Sequence, residues 1–387
     1  MMRLVYTAFA ALILFSMASA QSGRRIKTKS TPQTKSASST RTIDENVYSE
    51  SRPFKPVLLR PRTQKKPRPT PKPAETKPAE VKDEEDDIIS IESSLVTIPV
   101  SVFDRNGIYV SNIQQKEFKI FENGVEQEIA YFGKRDQPFT VALVIDTSGS
   151  TQFKIEDIHY AAKLFVRQLK PQDRVLVIQF SSGVRVRAEP TNDKQELDRA
   201  IEKARFGGQT ALYRAVEFTL RKRMNKIRGR KAIVLFTDGV DTSRWRNGYM
   251  RNYGDAEESD TLIYPVFYNT FLGSITSGTV MSGPFPGVGG MQGARAQTFG
   301  KSYLEQLAAY TGGRVFHAGQ SRGLLVQAFQ GIAEELRRQY SIGYSPIEVG
   351  EKGERRQIKV RVYRPDLRVR ARDSYIVGET KKTDDGN

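Results

Sequence analysis

The hydrophobic pattern of the chain changes period near residue 137. Between Ile91 and Phe132 apolar positions alternate with polar ones around turn signals: "SLVTIPVSVF", "DRNG" and "IYVSNI", then "EFKIF", "ENG" and "VEQEIAYF". Asn-Gly flanked by β formers marks strand–turn–strand units. The segment is predicted to be β-rich and too short to build a strong core alone. From Phe139 the pattern becomes continuous apolar runs: "FTVALVID", "RVLVIQF", "KAIVLFTDG" and "LIYPVFYNTF". Such runs fit strands buried on both faces.

Between these runs the spacing is helical. Ile155, Ile158, Ala162, Phe165 and Leu169 recur at intervals of three and four, predicting an amphipathic helix that stops before Pro171. Asp193 is positioned to cap a helix through Ala204, with Leu197 and Ile201 facing inward. "ALYRAVEFTLRKRM", "KSYLEQLAAYTGG" and "RGLLVQAFQGIAEELRRQY" are further helices, the last two on either side of "RVFHA". "VRVRAEPT" has a charged or polar residue at nearly every second place and reads as an edge strand. Strands alternating with helices imply an α/β fold, a doubly wound and mostly parallel sheet. Two stretches interrupt the pattern. "TSRWRNGYMRNYGDAEES" is Arg/Tyr-rich where a regular helix would be ordinary. Residues 271–298 are Gly/Ser/Pro-rich and read as a long loop, functional or disordered.

The C-terminal piece "RRQIKVRVYRPDLRVRARDSYIV" alternates again, around an "RPD" turn. It cannot form a good core by itself either. The economical arrangement pairs residues 340–377 with residues 88–136 in a small accessory β-sandwich, with the α/β domain, 137–339, inserted between them.

Composition sharpens the ends of the chain. An apolar run from Leu4 to about Phe15, followed by "ASA", reads as a secretory signal over residues 1–20, cut after Ala20; an uncleaved anchor is the alternative. Residues 21–87 are rich in Pro, Lys, Ser and Thr and predict a disordered basic linker; residues 378–387 predict a disordered tail. The formal charge is +17, and roughly two-thirds of it lies between Gln21 and Lys82. The basicity therefore suits anionic envelope polymers around a tether better than a specific nucleic-acid site. No later segment is apolar enough to cross a membrane. The expected location is exported: periplasm, cell surface or secreted. The chain has no cysteine, which excludes disulfides and thiolate metal sites.

Candidate chemistry gathers at the strand ends. Asp146 ends the first buried run, and Ser148 and Ser150 follow it at alternate positions. Asp238 ends the run "KAIVLFTDG". Thr210 sits in the Gly-containing loop "FGGQTALYRAV" just before a helix. Ligands of such sheets bind beyond the carboxyl ends of the strands. Two carboxylates and three hydroxyls are hard oxygen donors suited to Mg²⁺. "DTSGS", the threonine of "GGQTALYRAV", and "FTDGVD" together resemble the von Willebrand factor A domain and its metal-ion-dependent adhesion site, over roughly Phe139 to Gln339. With the flanking β segments, the chain is similar to the bacterial VWFA-related proteins from about Glu92 to Val377.

That resemblance implies Asp146, Ser148 and Ser150 as metal ligands, Thr210 as a direct or water-bridged ligand, and Asp238 acting through water. It implies Mg²⁺, with Mn²⁺ or Ca²⁺ as alternatives, and a partner protein that supplies an acidic side chain to the ion. It implies a non-enzymatic interaction or adhesion module. Two other readings are a structural envelope protein with a vestigial site and a Mg²⁺-dependent hydrolase using Asp146, which would need a general base the sequence does not show.

Other motifs fit less well. A flavodoxin-like phosphate loop at "DTSGST" would set Asp146 against phosphate. An aspartyl phosphotransferase would want an acid where Ser148 stands. "GKS" at Gly300–Ser302 lacks the P-loop glycine, since Arg295 occupies that place. His159 and His317 read as structural or surface residues. Trp245 and Tyr249 read as an aromatic rim to the metal face or as loop aromatics covering apolar surface.

Overall fold

The computed structural model describes residues 47–53, 95–133, 137–149, 155–205, 207–243, 248–268, 291–319, 321–348 and 350–377. The chain divides into units 1–42 and 43–387. The first lies wholly outside the described residues, and the second is the subject below. Most of the 21–87 linker, the 378–387 tail, Ser150, Trp245 and most of the 271–298 loop also lie outside them.

The strands are β1 (Ser49–Glu50), β2 (Val96–Phe103), β3 (Phe118–Glu122), β4 (Val125–Gln127), β5 (Ile129–Gly133), β6 (Phe139–Asp146), β7 (Arg174–Phe180), β8 (Val184–Thr191), β9 (Arg230–Thr237), β10 (Leu262–Phe267), β11 (Phe316–His317), β12 (Tyr340–Tyr344), β13 (Arg355–Val362), β14 (Arg368–Arg370) and β15 (Ser374–Ile376). The α-helices are α1 (Ile155–Arg167), α2 (Lys194–Glu202), α3 (Leu212–Glu217), α4 (Gly248–Glu258), α5 (Met291–Thr311) and α6 (Arg322–Arg338).

The four apolar runs become β6, β7, β9 and β10. They lie in a six-stranded sheet of order β11-β10-β9-β6-β7-β8. All neighbours are parallel except β8, which pairs antiparallel with β7 at the edge. Strand alternation divides the core in two. On β6, Val141, Leu143 and Ile145 face the layer that holds α1, α2 and α6. Ala142 and Val144 face α3, α4 and α5. The helical spacing read from α1 is its buried face: Ile158, Ala162 and Phe165 are inaccessible. Asp193 caps α2, accepting hydrogen bonds from the backbone N–H groups of Gln195 (2.8 Å) and Glu196 (3.2 Å).

The flanking segments form two antiparallel sheets. One has the order β14-β2-β12-β5; the other has the order β1-β13-β3-β4, with β15 also on β13. Ile98, Val100 and Val102 from the first and Ile120, Ile358 and Val360 from the second share one apolar cluster. Each sheet therefore needs strands from both ends of the chain. The Asn-Gly turn between β3 and β4 has positive φ at both Asn123 (48°) and Gly124 (87°), the geometry that two-residue hairpins require. The "DRNG" stretch pairs less than its pattern suggests: beyond the turn, only Phe103 and Tyr109 bridge.

Three expectations are corrected. Residues 47–53 fall in the stretch read as disordered linker, yet β1 pairs with β13, and Ser49 and Ser51 are buried. The Arg/Tyr-rich stretch after Asp241 contains a regular helix, α4. Its inward face mixes Tyr249, Tyr253 and Ala256, which pack in the apolar core, with buried Asn252, Asp255 and Glu257, so polar residues break up the stripe. The loop read over 271–298 ends earlier, because α5 begins at Met291.

A polar joint holds the sandwich to the α/β layers. Glu335 of α6 is fully buried. It accepts hydrogen bonds from Arg314 Nε (2.9 Å), Tyr264 Oη (3.3 Å) and Ser101 Oγ (3.4 Å), and from Arg370 of β14. A buried carboxylate with two guanidinium partners is stable in place, and loss of either partner leaves it costly.

Candidate metal centre

The switch in strand order lies between β6 and β9, which are parallel neighbours reached by connections on opposite sides of β6. This is where an open α/β sheet leaves a crevice at its carboxyl edge. Asp146 is the last residue of β6, and Thr237 is the last of β9. Thr237 Oγ1 donates to Asp146 Oδ2 at 2.7 Å. Asp146 Oδ1 accepts from the backbone N–H of Ser148 at 2.9 Å. Both oxygens are thus fixed by neutral donors.

Alternation in the first loop now has a physical reason. Thr147 faces the sheet: its hydroxyl donates to Phe180 O (3.0 Å) and accepts from Gln179 Nε2 (2.9 Å). With Thr147 pinned to β7, Asp146 and Ser148 are left on the other side.

The loop that carries Thr210 is tied to this one through backbone bonds. Gly207 N donates to Thr147 O at 2.9 Å and Gly149 N to Gly208 O at 3.4 Å. The loop after β9 is tied to Thr210 in turn. Thr210 N donates to Thr242 Oγ1 (2.8 Å), while Thr210 O accepts from Thr242 N (2.9 Å) and Ser243 N (3.1 Å). Asp238 lies in this third loop, where its Oδ1 accepts from Val240 N at 3.1 Å. The structure therefore brings the loops of Asp146, Ser148, Thr210 and Asp238 to one edge. These four residues are 0, 1, 4 and 2 % exposed, respectively; Gly149 at the rim is exposed. Ser150 lies outside the described residues.

Electrostatics distinguish the site from an ordinary polar pocket. Burial first, and then the nearby Asp238 carboxylate, push Asp146 up to about 7 against the lowering effect of the Ser148 and Thr237 hydrogen bonds. None of the donors to Asp146 carries a positive charge. Among the described residues no three His, Cys, Asp or Glu side chains form a metal-holding group; the donor set is two carboxylates with hydroxyls.

Asp241 was not singled out from the sequence. It is a supporting residue of the site. The N-cap position of α3 is Ala211, whose side chain makes no capping bond. Asp241 Oδ2 accepts instead from Tyr213 N (2.8 Å), and its Oδ1 accepts from Ser243 N (2.7 Å). One carboxylate from the third loop thus caps the helix that follows the second. The signal was present as an alanine where a capping side chain is expected.

Helix α5 braces the third loop from outside. Gly239, at φ 79°, and Gly300 meet backbone to backbone; a Cβ on Gly300 would lie 2.3 Å from Gly239 O. The glycine of the rejected "GKS" motif serves this close approach. His159 is half-buried on α1 with Nε2 3.1 Å from Ala204 O, a structural role. His317 ends β11 and is exposed. Tyr249 packs against Tyr213 and Phe299, with ring centroids 5.9 and 5.2 Å away.

The sequence model of the von Willebrand factor type A domain matches residues 141–240. No curated protein matches the chain. Among solved structures, a von Willebrand factor type A protein from Catenulispora acidiphila is 12% identical, covers 76% of each chain and superposes with a TM-score of 0.40. An aerotolerance-related membrane protein from Bacteroides fragilis is 14% identical over 52% of this chain and 98% of its own, TM-score 0.38. The vWF domain of the type V pili tip protein Mfa5 from Porphyromonas gingivalis is 11% identical over 55% and 97%, TM-score 0.38. The assignment rests on the sequence match and on the strand order, with its three loops at the carboxyl edge: the chain contains a von Willebrand factor type A domain.

Proposed function

We propose that this domain is a cation-dependent docking module that binds an acidic side chain of another protein and carries out no catalysis of its own. One observation carries the reading: Asp146 is buried beside a second carboxylate, held by neutral donors only, at the junction of three hydrogen-bonded loops. A divalent cation supplies the positive charge that this arrangement wants. The donors fit Mg²⁺, with Mn²⁺ or Ca²⁺ as alternatives. Asp146, Ser148, Thr210 and Asp238 would hold the ion, with Ser150 added from the sequence pattern. When bound, the ion acts as an electrophile toward a foreign carboxylate. Neutral hydroxyl donors leave it more charge for that purpose than a cage of carboxylates would.

The same reading places the protein outside the cytoplasm, through the signal over residues 1–20, with the basic stretch to residue 87 attracted to anionic envelope polymers. Among the described residues no helix is long and apolar enough to cross a membrane.

Calorimetry with MgCl₂ and MnCl₂ on the wild type and on Asp146→Ala tests the cation. Binding by the wild type and none by the variant is expected. A wild type that ignores both ions at millimolar concentration overturns the proposal and leaves a structural role. A pull-down from envelope extract with and without EDTA then tests the partner: capture should be lost with the chelator.

A further inference from the structure

The described residue range contains a peptide already bound. Residues 47–53 are separated from the next described residue, Leu95, by residues 54–94, forty-one positions. They nevertheless form β1 on the edge of β13, with Ser49 opposite Val362 and Glu50 opposite Arg361.

The contacts resemble a ligand in a groove. Ser49 Oγ donates to Arg364 O (2.8 Å) and accepts from Leu367 N (3.0 Å). Ser51 N donates to Val360 O (2.9 Å), and Ser51 Oγ accepts from Val360 N (3.0 Å). Glu50 pairs with Arg361 and sits 3.7 Å from Lys359 Nζ. The Arg361 guanidinium also covers the Tyr48 ring, 4.5 Å from its centroid. The segment contributes no large buried apolar side chain: Val47 and Tyr48 are both exposed. It is held by backbone bonds, two serine hydroxyls and one carboxylate, the terms by which an added strand is recognised. An element with so little apolar burial opens at low free energy without unfolding the sandwich.

We propose that this groove takes residues 47–53 of a second copy of the chain, so that exchange of β1 links copies to one another. Every contact in the groove is available identically to the partner's segment, which is the condition for strand swapping. Forty-one residues extend to no more than about 150 Å, ample reach to a neighbouring molecule. The intramolecular form competes through an effective concentration of order millimolar or below. Exchange is therefore minor in dilute solution and grows when copies are crowded.

The absence of native cysteine permits a direct test in the full chain. Antiparallel partners have Cα atoms about 4.5–5.5 Å apart, within disulfide reach. The double variant Glu50→Cys/Arg361→Cys, oxidised at low micromolar concentration, should close within one chain; failure to close would show that the groove does not hold the segment and overturns the proposal. The single variants Glu50→Cys and Arg361→Cys are then mixed from about 10 μM to 1 mM, incubated and oxidised. A mixture of Glu50→Cys with Val125→Cys, an exposed site on β4, sets the collisional background. Covalent heterodimer several-fold above background, rising with concentration and suppressed by a synthetic Val47–Pro53 peptide, is expected. Heterodimer at background level throughout, with the intrachain bond forming normally, overturns it.

Discussion

Gly300→Ala offers a test in which two ordinary effects have opposite signs. Gly300 lies in the interior of α5, where helix propensity favours alanine by about 1 kcal/mol. The contact with the third loop opposes this. The new Cβ would lie 2.3 Å from Gly239 O and 2.5 Å from Gly239 C, whereas carbon contacts normally lie at about 3.5–4.0 Å. Both partners are backbone, one in a helix and one in a turn at φ 79°, so no side chain can swing aside. The loop and the helix must separate by roughly 1 Å. Overpacking of this kind costs about 1–3 kcal/mol, and after the propensity gain a net loss of up to about 2 kcal/mol remains. The separation also displaces the loop that carries Asp238, so Mg²⁺ affinity should fall. Gly254→Ala in α4 is the matched control: its Cβ meets nothing within 4 Å, so propensity alone should stabilise it by about 1 kcal/mol. Guanidinium unfolding and Mg²⁺ calorimetry on both variants decide the matter. Equal stabilisation of the two, with unchanged Mg²⁺ binding, would refute the bracing role of α5.

Asp241→Ala removes the cap of α3 and should cost about 0.5–2 kcal/mol, read by denaturant unfolding, with Asp241→Asn recovering part of it. In metal-free protein the raised Asp146 binds its proton more tightly folded than unfolded. Stability should therefore fall as pH rises from about 4 to about 7, and Mg²⁺ should raise the melting temperature more at pH 7.5 than at pH 5; a flat profile that Asp146→Asn leaves unchanged would contradict this. Truncation after Ser345 removes β13, the partner of β3, and should open residues 96–133 to protease; unchanged resistance would deny the shared core. Glu335→Gln leaves the partly exposed Arg314 and Arg370 without their shared carboxylate and should destabilise the protein by about 1.5–3 kcal/mol, measured by thermal unfolding.

Much of the architecture was legible because burial on both faces leaves an unbroken apolar run, as in β6, and burial on one face leaves alternation, as in β13. The Asn-Gly turn at 123–124 was legible because few residue pairs accept two positive φ values. What escaped mixes polar contacts into its buried face. In α4, Asn252 reaches Tyr213 O (3.0 Å) and Tyr303 Oη (2.7 Å), and Asp255 pairs with Arg221; these partners lie far away in sequence. β1 escaped for the same reason, since its inward residues are serines. At the carboxyl edge, Asp146, Ser148, Thr210 and Asp238 were singled out by residue type in the loops beside buried strands and a helix start, and hydrogen bonds bring those loops together; Asp241 and Thr237 act on other side chains and backbone, which spacing does not encode.

The inserted domain has a mechanical consequence. The chain leaves the sandwich at β5 and returns to it at β12, and these strands are hydrogen-bonded neighbours, with Ser341 opposite Gly133. The first and last strands, β1 and β15, both pair with β13. Tension that enters at one and leaves at the other therefore crosses β13. The α/β domain stands outside that path as a side branch, so a pull should load the sandwich strands before it reaches the crevice that holds Asp146.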